Sequence, residues 1–376
     1  MSHPHRRQYE GIVFLPGREI PNHYNLWRGF AVEPRQGDCS KFLAHLKDNV
    51  CQGDEESYRW VVGWFANIIQ HPNEKTGTAL VLRGKMGTGK TIVGYVFGAV
   101  IGRHYVSVSN PRYVTGRFNS QLVSCLLLHA DEAFWAGDRE AEGQLKDLIT
   151  GEVHFIEFKG KEPIPVDNYV RLLVTGNPDW LVPAGFEERR FATFDIGDKH
   201  MQDIPYFKAI INEMKNGGSE ALLYHLSNFD LSSINLSEIP KTAALLDQKL
   251  SSLTPEQGWL LDTLMRGELP YDVEKEEDRK CPTSALFDRY INHASKHGVR
   301  RRSIEVVLGT FLKKYVPGLR KIDTTYGKGN STRQGYVYEF PPLAECRAAF
   351  SKMLHQDFDW PEKGGWTIDL YDPGRM

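Results

Sequence analysis

The sequence has no paired cysteines. Its five, Cys39, Cys51, Cys125, Cys281 and Cys346, are scattered with no C-x-x-C among them, which argues against a zinc site and a disulfide framework and fits a reducing compartment. Long apolar runs are missing too. None approaches the roughly 18 residues of a membrane span, and the opening MSHPHRRQYE lacks the apolar stretch of a secretory signal. The expectation is a soluble cytoplasmic protein with no membrane partner. Neither sign of charge dominates: the formal net charge is −2 over 376 residues, so any nucleic-acid surface must be a local concentration of Lys and Arg. Internal repeats and low-complexity tracts are also absent.

What remains is a chain that is 41% hydrophobic and, at a prior of roughly 150 residues per domain, long enough for two or three units. Residues 1–38 read as an irregular extension rich in Pro, Gly, His and Arg, carrying the rings Tyr24, Trp27 and Phe30 as packing anchors. A helical segment over 39–76 places Val61, Phe65, Ile68 and Ile69 at helical spacing and stops at His71-Pro72. The apolar runs at 78–84, 104–109, 122–130 and 169–177 predict buried strands of a parallel sheet within a core over 77–232. A helical and acidic linker at 233–282 follows, ending near DVEKEEDRK. Residues 283–345 predict a winged-helix-like domain: a helix at 283–297, a second with Ile304, Val307, Leu308 and Phe311 on one face, and strands ending in GYVYEF. Residues 346–376 form a tail. The fold class is α/β, with a phosphate-loop core, a helical N-terminal segment and a C-terminal winged helix.

Chemistry concentrates first in GKMGTGKT, residues Gly84, Lys85, Met86, Gly87, Thr88, Gly89, Lys90 and Thr91. This is a complete G-x-x-x-x-G-K-T, in which glycines let backbone N–H groups close around phosphates, the lysine reaches the outer phosphates and the threonine hydroxyl binds Mg²⁺. The strand before it and the helix after it are the context the motif needs. Further on, Leu126-Leu127-Leu128 leads into His129-Ala130-Asp131-Glu132, two carboxylates at the carboxyl end of a buried strand, where open α/β sheets bind ligands. Asp131 is expected to hold the magnesium and Glu132 to orient and deprotonate a water. By itself an Asp-Glu pair after a strand is usually a turn or a helix cap; the loop upstream reverses those odds.

The last of these strands ends in Thr175-Gly176-Asn177. Its amide is expected to meet the terminal phosphate and the water, against the plain alternative of a turn-forming Gly-Asn. Arg189 and Arg190 in EERRF are candidates for a guanidinium supplied in trans, Arg190 ahead of Arg189, although adjacent arginines are commonly salt-bridged surface residues. Between the acidic pair and Asn177, HFIEF and EPIPV flank Lys159-Gly160-Lys161 as a hairpin with a basic tip, read as DNA-contacting because of its place inside the core.

The missing basic surface lies between Lys296 and Arg333, where ten Lys or Arg face two acids for a local charge of +8. Arg300, Arg301 and Arg302 precede the second helix, Lys313 and Lys314 lie near its end, and Lys328 and Arg333 lie in the glycine-rich GKGNSTRQG wing. Cations clustered on a helix and a wing favour phosphate contacts over a merely solvated face.

The order GKMGTGKT, LLLHADEAFW, LKDLITGE with EFKGKEPIPV, LLVTGNPDWLVP and EERRF, packed between Gly84 and Phe191, resembles the superfamily three DNA helicases of the poxvirus and phage primase-helicase type. The leading YNLWRGFAVEP is similar to the segment ahead of that motor, and the likeness runs from about Tyr24 to Phe350. The resemblance implies an AAA+ core, a hexameric ring on single-stranded or forked DNA, ATP and Mg²⁺ as cofactors, and 3′ to 5′ translocation driven by ATP hydrolysis. Family roles carry over to Lys90, Thr91, Asp131, Glu132 and Asn177, to Arg190 as the finger, and to Lys159 and Lys161 as the DNA hairpin. Relatives often carry a primase domain upstream. Here too few residues precede the motor to hold one, so primer synthesis is not expected and a primase or polymerase would act in trans. Whether the chain stands alone or ends a longer polypeptide stays open. The sequence thus favours a replicative DNA helicase of viral, prophage or mobile-element type. Its rival is a nucleotide-switched DNA-binding or loader ATPase that does not unwind, and a small-molecule kinase fits poorly with the paired arginines and the basic C-terminal unit.

Overall fold

The structure of the protein, a computed structural model, describes residues 7–116, 119–132, 139–158, 160, 162–177, 181–186, 188–270, 279–300, 302–326, 333–362 and 364–369. The chain forms two compact units, one of residues 1–184 and 188–248, the other of 185–187 and 249–376.

In the first unit, Asp54 opens helix α1 (Glu55–Gln70) by accepting from the Ser57 N–H at 2.8 Å, an N-cap worth about 1 kcal/mol. The residue before Pro72 cannot continue a helix without a steric clash, and α1 ends there. Strand β1 (Ala79–Arg83) leads through the glycine loop into α2 (Lys90–Ile101). Then come β2 (Tyr105–Val108), β3 (Leu127–Asp131), α3 (Arg139–Thr150), the strands β4 (Val153–Ile156) and β5 (Ile164–Asp167), β6 (Arg171–Gly176), β7 (Phe191–Asp195), α4 (Ile204–Glu213) and α5 (Ser219–Ser227). The sheet order is β2-β3-β6-β1-β7, every neighbouring pair parallel.

Both faces of this sheet are covered. Along β1, Leu80 and Leu82 pack with Trp64, Phe65, Val93 and Phe97 on the side of α1 and α2, while Ala79 and Val81 pack with Leu145, Leu148 and Ile149 of α3 on the other. A strand buried on both faces must read as an unbroken apolar run rather than an alternation, which is why these strands were visible in the sequence. The run at 122–130 behaves differently: only Leu127–Asp131 is strand, and Ser120–Ser124 coils into a 3₁₀ turn. Pairing begins at Tyr105↔Leu127 because β2 itself begins only after Gly102, whose φ of 63° turns the chain out of α2.

The expected hairpin is present as an antiparallel pair, Val153↔Asp167 to Ile156↔Ile164. Phe155 on it is 67% exposed. Its two tip lysines, Lys159 and Lys161, lie outside the described residues. Of the N-terminal rings, Trp27 stacks on His104 at 4.7 Å and Phe30 meets Trp27 edge-on at 5.2 Å, so the extension is docked by aromatic contact.

The second unit contains α6 (Pro255–Arg266), β8 (Lys280–Pro282), α7 (Thr283–Lys296), α8 (Glu305–Tyr315), β9 (Arg320–Tyr326), β10 (Arg333–Glu339) and α9 (Leu343–Leu354), with an antiparallel sheet β8-β10-β9. Thr254 and Gln257 close a reciprocal capping box on α6, and Gly267 ends it in the left-handed region. One expectation fails here. Helix α8 buries Leu308, Gly309 and Leu312, leaving Ile304 65% and Val307 49% exposed. The helix sits so close to β10 that a Cβ on Gly309 would lie 2.6 Å from the Tyr338 hydroxyl oxygen, and that close approach, rather than the apolar stripe, sets its rotation.

Candidate nucleotide-phosphate site

The glycine loop follows the carboxyl end of β1, between the ends of β6 and β7. Gly87 and Gly89 have φ of 80° and 94°, a left-handed backbone that favours glycine. Gly89 has a second reason to be glycine, since a Cβ there would lie 2.5 Å from the Phe207 ring and 2.7 Å from His45. The loop carbonyls are tied from outside. Gln202 N–H donates to Gly87 O at 2.9 Å, Asn49 Nδ2 to Thr88 O at 2.9 Å, and His45 Nε2 to Gly89 O at 3.2 Å. His45 and Asn49 come from a short helix, Ser40–Ala44, that widens into a π-helical turn, His45–Val50. Burial holds His45 down at a pKa of about 4, so the ring is neutral, donating to the loop and accepting from the Tyr206 hydroxyl at 3.2 Å.

Lys90 opens α2. Its ammonium donates to Gly84 O at 2.8 Å, Lys85 O at 2.7 Å and Asn177 Oδ1 at 2.7 Å. Burial lowers its pKa, while Glu132 and Asp131 act to raise it. One residue on, the Thr91 hydroxyl donates to Asp131 Oδ1 at 3.1 Å. Lys90, Thr91, Asp131 and Asn177, widely separated in the chain, are thus brought together at the carboxyl edge of the sheet. Glu132 follows directly with φ of 57°, its N–H donating to Thr175 O at 2.8 Å; a non-glycine residue in the left-handed region costs of order 1 kcal/mol or more, and such strain clusters at functional sites. Lys85 pairs with Asp198 at 3.2 Å, and Met86 is exposed.

Residues the sequence did not single out lie behind this edge. Asp131 Oδ1 also accepts from the Thr175 hydroxyl at 2.5 Å, Thr175 Oγ1 lies 2.8 Å from His129 Nε2, and His129 Nδ1 lies 2.6 Å from the Tyr105 hydroxyl. His129 is fully buried, with its pKa lowered by burial to about 4. The signal that could have found this chain is the pair Gly94 and Gly98 inside an apolar helix. Glycine there costs roughly 1 kcal/mol against alanine, so two of them four residues apart mark a close neighbour.

Arg189 and Arg190 are not brought to the loop. Phe191, the next residue, pairs with Ala79 at the opposite end of β1, about 16 Å of strand away. Arg189 is exposed; Arg190 is one-quarter exposed and lies 3.8 Å from the buried Glu188 carboxylate, which also accepts the Arg190 N–H at 2.6 Å. In the second unit Arg300, Arg302, Lys313, Lys314 and Arg333 are all exposed. Arg301 and Lys328 lie outside the described residues. Lys314 sits over the Tyr315 ring at 5.1 Å. Among the described residues no group of three or more His, Cys, Asp or Glu could hold a metal ion, and no helix is long and apolar enough to cross a membrane. All five cysteines are free and buried.

Comparison with known proteins redirects the functional reading. A family described as "Family of unknown function (DUF5906)" matches residues 82–190. The chain is 24% identical over 308 residues, 76% of its own length, to a DNA primase-polymerase of Nitratiruptor phage NrS-1, and it spans 41% of that relative. Two solved structures of the NrS-1 C-terminal region, residues 305–718, superpose with TM-scores of 0.67 and 0.64 at 18% identity, covering 89% of this chain and 85% of each structure. At that identity the likeness shows the fold alone: α/β with a parallel sheet.

The expected superfamily three helicase is therefore corrected: the curated relative is a primase-polymerase. With the helicase goes the ATP-hydrolase assignment. The physical reason is that a motif such as the glycine loop speaks at most to the ligand, and what is done with a bound ligand is decided by the rest of the assembly.

Proposed function

We propose that this chain is a nucleoside-triphosphate-binding module of primase-polymerase DNA synthesis, of phage type and acting in the host cytoplasm. It corresponds to the C-terminal region of the NrS-1 protein. The observation that carries this reading is the convergence of Lys90, Thr91, Asp131 and Asn177 around a loop whose Gly87, Thr88 and Gly89 carbonyls are bonded by residues outside it. With those carbonyls occupied, the N–H groups of Lys85, Met86, Gly87, Thr88 and Gly89 would be left to the phosphates at the positive end of α2, while the Gly84 N–H is spent on Gly176 O at 3.2 Å. Lys90 would reach the outer phosphates and Asn177 would steady it. Thr91 and Asp131 would hold Mg²⁺ together with phosphate oxygens, the usual manner for an ion that keeps few protein ligands. Bound there, the ion neutralises triphosphate charge. Glu132, the next residue after Asp131, would position a water or hydroxyl.

The strand order around β1 supports a phosphate-loop AAA+ reading of the first unit. The sequence helix, helix, hairpin with a third strand supports a winged-helix reading of the second. Exposed Arg300, Arg302, Lys313, Lys314 and Arg333 on that unit favour contact with the phosphates of a DNA template.

The test is a titration with a fluorescent triphosphate, with and without Mg²⁺, followed by labelled-nucleotide incorporation on a single-stranded template. Wild-type protein is expected to bind saturably in Mg²⁺, and Lys90→Ala to weaken binding on the order of 100-fold, since charged hydrogen bonds are worth about 1.5–3 kcal/mol each. Unchanged affinity in Lys90→Ala, or no saturable binding by the wild type, would sink the proposal.

A further inference from the structure

We propose that Tyr105, His129 and Thr175 form a buried hydrogen-bonded relay that fixes the orientation of Asp131 for magnesium, making them positioning residues of the nucleotide site. This inference rests on the nucleotide reading above.

The direction of every bond in the chain follows from proton counting. An ionised Asp131 carboxylate only accepts, so the Thr175 hydroxyl must donate its one proton to Oδ1 at 2.5 Å. Thr175 Oγ1 then has only lone pairs left for His129, and Nε2, 2.8 Å away, must be the protonated ring nitrogen. Nδ1 of a neutral imidazole is in that case an acceptor, and the Tyr105 hydroxyl donates to it at 2.6 Å. All three donors point one way, toward the carboxylate, and aligned hydrogen bonds in a low-dielectric interior polarise one another. His129 itself is 4.0 Å from Asp131 Oδ1, beyond direct hydrogen bonding; the threonine bridges the gap. Since Thr91 also donates to Oδ1, that oxygen is held by two hydroxyls, Thr91 from the loop side and Thr175 from the relay.

The packing is arranged around this chain. A Cβ on Gly94 would lie 2.4 Å from His129 Nδ1, and one on Gly98 2.5 Å from the Tyr105 ring. Helix α2, which carries Lys90 and Thr91 at its start, therefore keeps two glycines on the face where the relay runs. Three strands contribute one member each, β2, β3 and β6, so the parallel register Val106↔Leu128 and His129↔Leu173 sets the spacing. Partners that orient a metal-binding side chain usually change metal affinity by about 10- to 100-fold when removed.

The experiment titrates Mg²⁺ against full-length protein and a fluorescent adenosine triphosphate analogue, reading the half-saturating Mg²⁺ concentration, with a parallel titration in chelator for metal-free binding. Thr175→Val, close to isosteric, and His129→Ala are expected to raise the Mg²⁺ half-point on the order of 10- to 100-fold while leaving metal-free affinity unchanged. Tyr105→Phe keeps the ring and should raise it only a few-fold. His129→Gln, whose amide can still donate to Thr175, should recover most of the loss, which a simple packing defect would not. A Thr175→Val protein with wild-type melting temperature and an unchanged Mg²⁺ half-point overturns the relay. So does a proportional loss of metal-free binding, which would mark a damaged loop. If His129→Ala does not fold, Thr175→Val and Tyr105→Phe decide the matter. Absence of Mg²⁺-dependent binding by the wild type would overturn the nucleotide reading, and the relay with it.

Discussion

Around the glycine loop, polar groups from distant parts of the chain find specific partners: Asn49 with Thr88 O, His45 with Gly89 O, Lys90 with Asn177, Thr175 with Asp131. On the second unit, Arg300 and Arg302 stand exposed in the connection between α7 and α8, Lys313 and Lys314 in the last turn of α8, and Arg333 at the start of β10. On the function proposed above, the contrast follows from what each surface would bind. A triphosphate with its metal is small and must be met at fixed distances, so its ligands are held by buried second partners, each costly to leave unpaired. A nucleic-acid backbone is long, repetitive and contacted largely through screened charge, so exposed cations serve without buried second partners.

If this contrast is correct, the strongest disturbance should come from charging a brace of the first unit. The His45 pKa falls from 6.5 to about 4 on burial. Between those values the unfolded chain takes up a proton that the folded one refuses, so this stability is fully present above about pH 6.5 and is lost as pH falls toward 4. The loss is about 3 kcal/mol at most. Thermal melting across that window should show the decline, and His45→Gln should flatten it; an unchanged slope in the variant would break the comparison on this side.

Next in size is Gly94→Ala. A Cβ 2.4 Å from His129 Nδ1 forces a shift typically costing about 1–3 kcal/mol, partly offset by the roughly 1 kcal/mol that alanine gains over glycine in a helix. Chemical denaturation should report a net destabilisation, and a stabilised protein would show that the relay has room to move. In the second unit the local device is smaller: Thr254→Ala removes the capping box of α6 and should cost about 1 kcal/mol. The smallest effect is expected for Lys313→Ala and Lys314→Ala. Each should weaken single-stranded DNA binding only a few-fold at low salt and lower the slope of log affinity against log salt by about 1. A loss confined to one DNA sequence would instead mean that these lysines read bases, and would blur the distinction between the two surfaces.

The buried strands and the loop were legible because each is a local pattern: Leu80 to Leu82 and Leu172 to Val174 are apolar without interruption, and Gly84 to Thr91 carries its own backbone requirements. Helix α8 was misjudged in rotation because its apolar residues exceed what one face can bury, and contact with Tyr338 chose among them. Arg189 and Arg190 were read from motif order as a guanidinium supplied in trans, and the sequence alone did not say where they lie relative to the chain's own loop. Their register beside Ala79 puts them at the far end of the strand, a fact fixed by pairing rather than by composition. The helicase reading failed for a different reason, since motifs name the ligand more securely than the process that uses it.

By itself the sequence determined that this chain has a parallel α/β core ending in a glycine loop, an acidic pair after a buried strand, and a basic segment near the C-terminus. Those properties reside in stretches of a few residues, where backbone freedom, apolar continuity and charge density are local quantities. Only the tertiary structure decided that His45 and Asn49 brace the loop and that Tyr105, His129 and Thr175 stand in line behind Asp131. A hydrogen-bonded chain assembled from three different strands depends on which strands are neighbours and in what register, and no single segment carries that information.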